Sequence, residues 1–176
     1  MSLATVTTTG RAFLAKVLKE QSLHIAWGAG DPAWDDLEDS SLPGLVNVTG
    51  LTAELGRRAP SSVGYVLPDD DGAISIPVGM DGQGNVLYQR YTLAETPTPW
   101  LYVRCNFDNA DAASATIREM GLFGGGVAAQ DLPPGQQYFT PDEIEDPGFL
   151  IAVEIVRPRF SRSPNVRESY EFVLPL

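Results

Sequence analysis

Histidine and cysteine are almost missing from this chain: His24 and Cys105 stand alone among 176 residues. A single cysteine forms no internal disulfide, which rules out a disulfide scaffold and suits synthesis in a reducing cytoplasm. One histidine and one cysteine do not supply a zinc site, so no metal is expected. Basic charge is scarce too. Twelve Lys and Arg stand against 23 Asp and Glu, a net charge of −11. Phosphate is bound by clustered Lys and Arg, so neither nucleic acid nor anionic lipid is an expected partner. No run of about 18 apolar residues occurs, and no membrane insertion is expected. Met1 to Gly10 lacks a basic stretch followed by an apolar one, so it is not expected to be a signal peptide.

What is present is apolar residue in short runs, punctuated by 17 Gly and 14 Pro. That pattern means strands joined by turns rather than disorder. The length suits one domain with a real core, expected over 1–176. Thr9 to Lys19 reads as a helix, with Phe13, Leu14, Val17 and Leu18 on one face, Thr8 or Thr9 as cap, and Lys16 and Lys19 at its negative end. Leu23 to Trp27 reads as a strand closed by Gly28-Ala29-Gly30-Asp31-Pro32. Pro32 to Glu38 reads as helical turns capped by Asp31. Gly50 to Arg58, with Leu51, Leu55 and Arg58 in step, reads as another short helix.

From Ser61 the apolar period becomes two. Val63, Tyr65 and Leu67 alternate before Pro68-Asp69-Asp70-Asp71-Gly72, and Ile74, Ile76 and Val78 alternate after it, a hairpin signal. A second turn, Asp81 to Asn85, leads to Val86, Tyr88 and Arg90. Trp100 to Phe107 alternates, with Leu101, Val103, Cys105 and Phe107 on one face. Phe149 to Val156 is almost wholly apolar, as in a central strand, and Glu168 to Leu176 is a last strand. The Pro-punctuated stretch near 127–148 reads as a projecting loop or arm. The class is α+β: mainly an antiparallel β sheet or sandwich, with an N-terminal helix and that loop.

Candidate chemistry is thin. Gly28-Ala29-Gly30-Asp31-Pro32-Ala33 fits a dinucleotide fingerprint, but Asp31, Asp35 and Asp36 repel phosphate at the helix start, and no acidic residue closes a second strand. No cofactor is expected. The Asp69–Gly72 and Asp81–Asn85 segments share residues with calcium loops but lack the spacing and closing bidentate Glu, and turns use the same residues. His24 has no nucleophile signature to serve. Cys105, on the apolar face of its strand, reads as a buried small hydrophobe. Asp142, Glu143, Glu145 and Asp146 form a solvated acidic run, and a carboxylate pair for glycan hydrolysis has no motif of its own. Arg57, Arg58, Arg157, Arg159 and Arg162 stand out on so acidic a chain. They read either as partners of neighbouring acids or as contacts to an acidic partner subunit.

Several features fall in a telling order. A threonine-rich start and helix (Thr7-Thr8-Thr9-Gly10, then Phe13 to Leu18) precede a strand ending in Ala26-Trp27-Gly28-Ala29-Gly30-Asp31-Pro32. An L-x-x-E-x-x-R segment follows, carried by Leu51, Glu54 and Arg57 with Arg58 beside it. Then come the strand Leu101 to Phe107 and the segment Ala115, Ile117, Glu119, Gly121, Leu122 and Phe123. This order resembles tail and baseplate proteins of tailed bacteriophages, most clearly those of Mu-like phages and prophages, and shares motifs with the N-terminal domains of tail fibres. It covers roughly residues 1–125. The chain lacks a repetitive fibre shaft after that point.

The resemblance implies a non-enzymatic structural subunit of a phage tail, baseplate or tail junction, made in the host cytoplasm and located in the virion. It implies other tail proteins as partners and a homo-oligomer in a symmetric assembly. Candidate partner contacts are Arg57, Arg58, Tyr138, Phe139, Arg157 and Arg159, with Trp34, Trp100 and Tyr102 as aromatic anchors. Glu119 is expected to pair with Arg57 or Arg58. The alternatives are a carbohydrate-binding module at a fibre tip and a tail-associated glycan hydrolase.

Overall fold

The computed structural model describes residues 4–176, apart from the side chain of Asp39; Met1–Leu3 of the expected 1–176 domain lie outside the described residues. Helix α1 spans Thr8–Lys19. The strands follow as β1 (Leu23–Gly28), β2 (Glu54–Arg58), β3 (Ser62–Pro68), β4 (Ile74–Met80), β5 (Val86–Ala94), β6 (Trp100–Phe107), β7 (Thr116–Gly124), β8 (Val127–Ala128), β9 (Tyr138–Phe139), β10 (Ile144–Asp146), β11 (Phe149–Ser161) and β12 (Glu168–Pro175). One N-terminal helix and mainly antiparallel sheets are the α+β class that the periodicities predict. The elements form two compact units. The first takes residues up to Glu20, Ser61–Arg104 and Tyr170–Leu176; the second takes Gln21–Pro60 and Cys105–Ser169.

The first unit is a five-stranded sheet in the order β12-β6-β3-β5-β4. Its core holds Val66, Ile76, Tyr91 and Tyr102, with Ile74, Trp100 and Val173 packed on them. The alternation on either side of Asp69–Gly72 marks two strands, as predicted, but they do not pair with each other. β5 lies between them, bonding β3 through Tyr65↔Ala94 and β4 through Ile74↔Tyr91. A period of two shows that a segment is a strand and says nothing of its neighbour. The turn is tight because the Asp69 carboxylate accepts from the Asp71 amide (3.0 Å) and the Asp69 carbonyl from the Gly72 amide (2.9 Å). A Cβ on Gly72 would lie 2.2 Å from the Tyr91 carbonyl oxygen, so only glycine lets the chain pass here.

Helix α1 starts one residue earlier than expected. Thr7 is the cap, its hydroxyl accepting from the Gly10 amide at 3.1 Å. Its packing face also differs from the apolar face read from the sequence. Ala15 is buried, whereas Phe13 (62% exposed), Leu14 and Val17 face outward. Small Ala15 allows close approach to the sheet, and Lys19 lays its ammonium over the Tyr65 ring at 4.5 Å.

The second unit is a sheet in the order β11-β7-β1-β2-β9, with the β8–β10 pair beside it in sequence. β1 is buried along its whole length and β7 along most of it, as central strands must be. Gly50 to Arg58 is not a helix: Glu54–Arg58 is the strand β2, antiparallel to β1. Gly56 at φ +154° is outside helical space, and pairing along β1 outweighs three residues at helical spacing. Part of the stretch expected to project is tied down, since Tyr138 and Phe139 pair with Arg58 and Arg57 as the edge strand β9. Gln130 to Gln137 stays mostly exposed.

Candidate functional site

The three motifs singled out in the sequence occupy neighbouring strands of the second unit. In the β1–β7 ladder Ala26 faces Gly121, Trp27 faces Met120 and Gly28 faces Glu119. On the other side of β1, Ala26 faces Arg57 and Trp27 faces Gly56. The Trp-Gly, Glu-x-x-Arg-Arg and Glu-x-Gly-Leu-Phe segments thus form one cluster.

Glu119 is 3% exposed, and its two carboxylate oxygens accept from the amides of Thr52 (3.0 Å) and Ala53 (2.8 Å). The expected pairing of Glu119 with Arg57 or Arg58 is therefore corrected: its partners are backbone donors leading into β2. The clamp explains Gly28. A Cβ there would sit 2.4 Å from a Glu119 carboxylate oxygen and 2.8 Å from the Ala53 carbonyl oxygen.

Arg57 is 2% exposed and fully occupied. It grips both oxygens of Glu54 at 2.8 Å, donates to the Pro147 carbonyl at 2.9 Å, and stacks over the Phe123 ring at 3.9 Å. Arg58 donates to Asp111 (2.6 Å) and Asp108 (2.8 Å). Arg162, buried, caps the Trp27 ring at 4.9 Å and donates to the carbonyls of Asp108 (2.6 Å) and Val166 (3.0 Å). Trp27 stacks on Phe107 with centroids 3.6 Å apart, and its indole N–H donates to the Tyr138 hydroxyl at 3.1 Å. That hydroxyl donates in turn to the Leu55 carbonyl at 3.1 Å. Burial pushes the Cys105 thiol up to about 12, so it is held as an inert thiol.

The candidate partner contacts separate on these grounds. Arg57 is buried, and it, Arg58 and Tyr138 are engaged inside the unit, which is the reading of the arginines as partners of neighbouring acids. Phe139 meets the edge of His24 with ring centroids 5.7 Å apart. Tyr102 is buried and its hydroxyl donates to Glu171, so it is no surface anchor. Trp34 and Trp100 are half-buried. Arg159 is half-exposed and lies 3.2 Å from Asp35, whose carboxylate is already gripped by Arg118 at 2.9 and 3.0 Å. Hydrogen bonding from Arg118 holds the Asp35 carboxyl below its usual range. Arg157 donates to the carbonyls of Trp34 and Leu37. Asp31 caps the turn Pro32–Asp36 by accepting from the Ala33 amide at 2.9 Å, a structural use of the glycine-rich segment. Sequence reasoning missed the Arg118–Asp35 pair and the stacking of Arg162 on Trp27. Both join residues far apart in the chain; the surplus of arginines near the C-terminus hinted at the second, and nothing in the sequence at the first.

His24 is buried, and its Nδ1 has no partner among the described residues. Burial first, and the Arg57 guanidinium second, hold its imidazole below the ordinary 6.5, with Glu54 acting the other way. The unfolded chain therefore binds a proton near its ordinary pKa that the folded chain refuses. Stability from this source is whole above about pH 6.5 and is lost as pH falls below it. Between about pH 7.5 and 5.5 the wild type is expected to lose stability from this source as pH falls. His24→Leu is expected to flatten that slope in denaturant titrations; equal slopes in the two proteins would disprove the assignment.

The cluster builds stiffness: cations locked to acids and carbonyls, aromatic stacks, and a carboxylate holding backbone amides. Such an arrangement is a feature of proteins that serve as rigid parts. The family described as "Baseplate wedge 3 tail fiber network component" matches residues 3–176, and the chain belongs to that family, one of phage baseplate and tail-fibre proteins. A comparison with curated proteins finds no match.

Proposed function

We propose that the chain is a structural subunit of a phage baseplate or of the junction between baseplate and tail fibres. It resides in the virion tail after synthesis in the host cytoplasm, and it works through repeated contacts with other tail proteins and with copies of itself. The observation that carries this reading is that the family match spans residues 3–176 while the motif residues are spent on internal contacts. Motifs used that way preserve a shape, and a preserved shape serves assembly better than catalysis. Partner contacts then fall on exposed groups. Arg159 stays as a candidate from the earlier set, and the outward face of α1 (Phe13, Leu14 and Val17) joins it.

Quantitative mass spectrometry of purified tail particles tests the reading. The expected result is the chain at a fixed stoichiometric ratio to the other baseplate proteins. Intact particles without it would refute a structural role, and cleavage of cell-wall glycan by the purified protein would favour the hydrolase instead.

A further inference from the structure

The strand β5 pairs with β3 only from Tyr91 onward, so Val86 to Gln89 has β4 as its one partner in the ladder. The distal part of the β4–β5 hairpin is thus a two-stranded ribbon, closed by the Asp81–Asn85 turn. Asp81 holds that turn through the amides of Gln83 and Asn85 and the Asn85 side chain, all at 2.8 Å. These bonds, the Asn85 side chain first, keep its carboxyl below the usual range. The ribbon exposes Val78, Met80, Val86, Leu87 and Tyr88. A bare two-stranded ribbon is marginal in water, and an apolar one calls for a partner surface.

The second unit carries a surface of matching chemistry. Leu45, Val46 and Val48 line one wall of an open groove of about 350 Å³, and Leu150 to Val153 of β11 line the other. Val46 is 92% exposed. The apolar run Phe149 to Val156 predicts a central strand, but β11 lies at the edge of its sheet with β7 as its ladder partner, so its apolar residues are covered on one side only. An edge strand beside a groove of apolar side chains and open backbone is the arrangement that takes up an added strand.

Charge selects the occupant. From Ile74 to Gln89 the ribbon has one charged residue, Asp81 at its tip, and neither Pro43 to Ala53 nor Pro147 to Val153 has any. On a chain of net charge −11, two copies repel through most of their surface. Beyond Asp81, the ribbon and the groove are two uncharged surfaces lined by apolar side chains, through which they meet without that penalty.

We infer that the β4–β5 ribbon of one copy seats in the groove beside β11 of a second copy, in a head-to-tail contact. Such a contact uses two different patches, so it propagates past the dimer, and it ends in a ring where the rotation between copies closes. The inference rests on the reading of the chain as a contact-forming assembly component.

Sedimentation velocity of the full chain over a concentration series tests it, with Leu87→Lys in the ribbon and Val46→Lys in the groove. Both positions are exposed, so both variants are expected to keep the wild-type circular dichroism. Wild type is expected to associate past the dimer, and each variant alone to stay monomeric. An equal mixture of the two variants is expected to form a two-copy complex and stop there, since one intact ribbon meets one intact groove. A wild type that is monomeric at every concentration overturns the contact. So does association that survives both substitutions, or a mixture that fails to pair. None of these outcomes bears on whether purified tails contain the chain, so the contact and the structural role fail separately.

Discussion

Replacing Glu119 by alanine is expected to lower the stability of its unit by about 3 kcal/mol. The carboxylate accepts from the Thr52 and Ala53 amides at 3.0 and 2.8 Å while itself nearly sealed from water. Hydrogen bonds to a charged acceptor are worth roughly 1.5–3 kcal/mol each, and a buried amide stripped of its acceptor adds its own desolvation penalty. For a protein of this size the melting temperature is expected to fall on the order of 10 °C. Glu119→Gln keeps the shape but turns an N–H toward one of the two donors, so it is expected to retain less than half of the clamp. Gly28→Ala attacks the same place from β1 and is expected to be damaging in the wild type. Part of that damage should vanish in the Glu119→Ala background, where the new methyl meets no carboxylate. Unchanged melting in Glu119→Ala, or strict additivity of the two substitutions, would show that the clamp does not bear on stability.

The clamp also shows where sequence reading succeeds and where it stops. β1 is legible as an apolar run and β6 by its alternation, whereas β7, interrupted by Arg118 and Glu119, carries no such period and reads only as a motif. Gly121 reads as a bend but lies within β7, paired with Ala26 and Val153, and Gly28 is glycine because a carboxylate on the adjacent strand occupies the space of its side chain. That reason exists only once β1 and β7 are paired, 91 residues apart at Gly28↔Glu119. The misread elements fail the same way. Glu54–Arg58 looks helical because Leu51, Leu55 and Arg58 fall in step, yet the strand is decided by what β1 offers it. β3 and β4 look like a hairpin because a turn joins them, yet β5 takes the place between them. The outward turn of Phe13 on α1 is invisible to a rule that puts apolar residues inside, and it becomes informative as a surface left for a partner.

Arg57 is the position where the structural and the partner-contact readings of the arginines give opposite results. Its guanidinium is bound to both oxygens of Glu54, to the Pro147 carbonyl and to the face of Phe123, at 2% exposure. Arg57→Met is expected to cost about 3–5 kcal/mol, because it leaves the Glu54 carboxylate, mostly buried, without its cation. Arg57→Lys is expected to lose much of the same amount, since an ammonium cannot span two carboxylate oxygens and stack on a ring at once. The double substitution Glu54→Leu with Arg57→Met removes both charges together. It is expected to recover a large part of the loss, since an apolar pair of similar volume has no desolvation penalty to offset. Chemical denaturation of the three variants measures this directly. A surface contact behaves in the opposite way: Arg57→Met would leave folding stability within about 0.5 kcal/mol of wild type and would weaken incorporation into tails. Observing that second pattern would return Arg57 to the interface and remove it from the core.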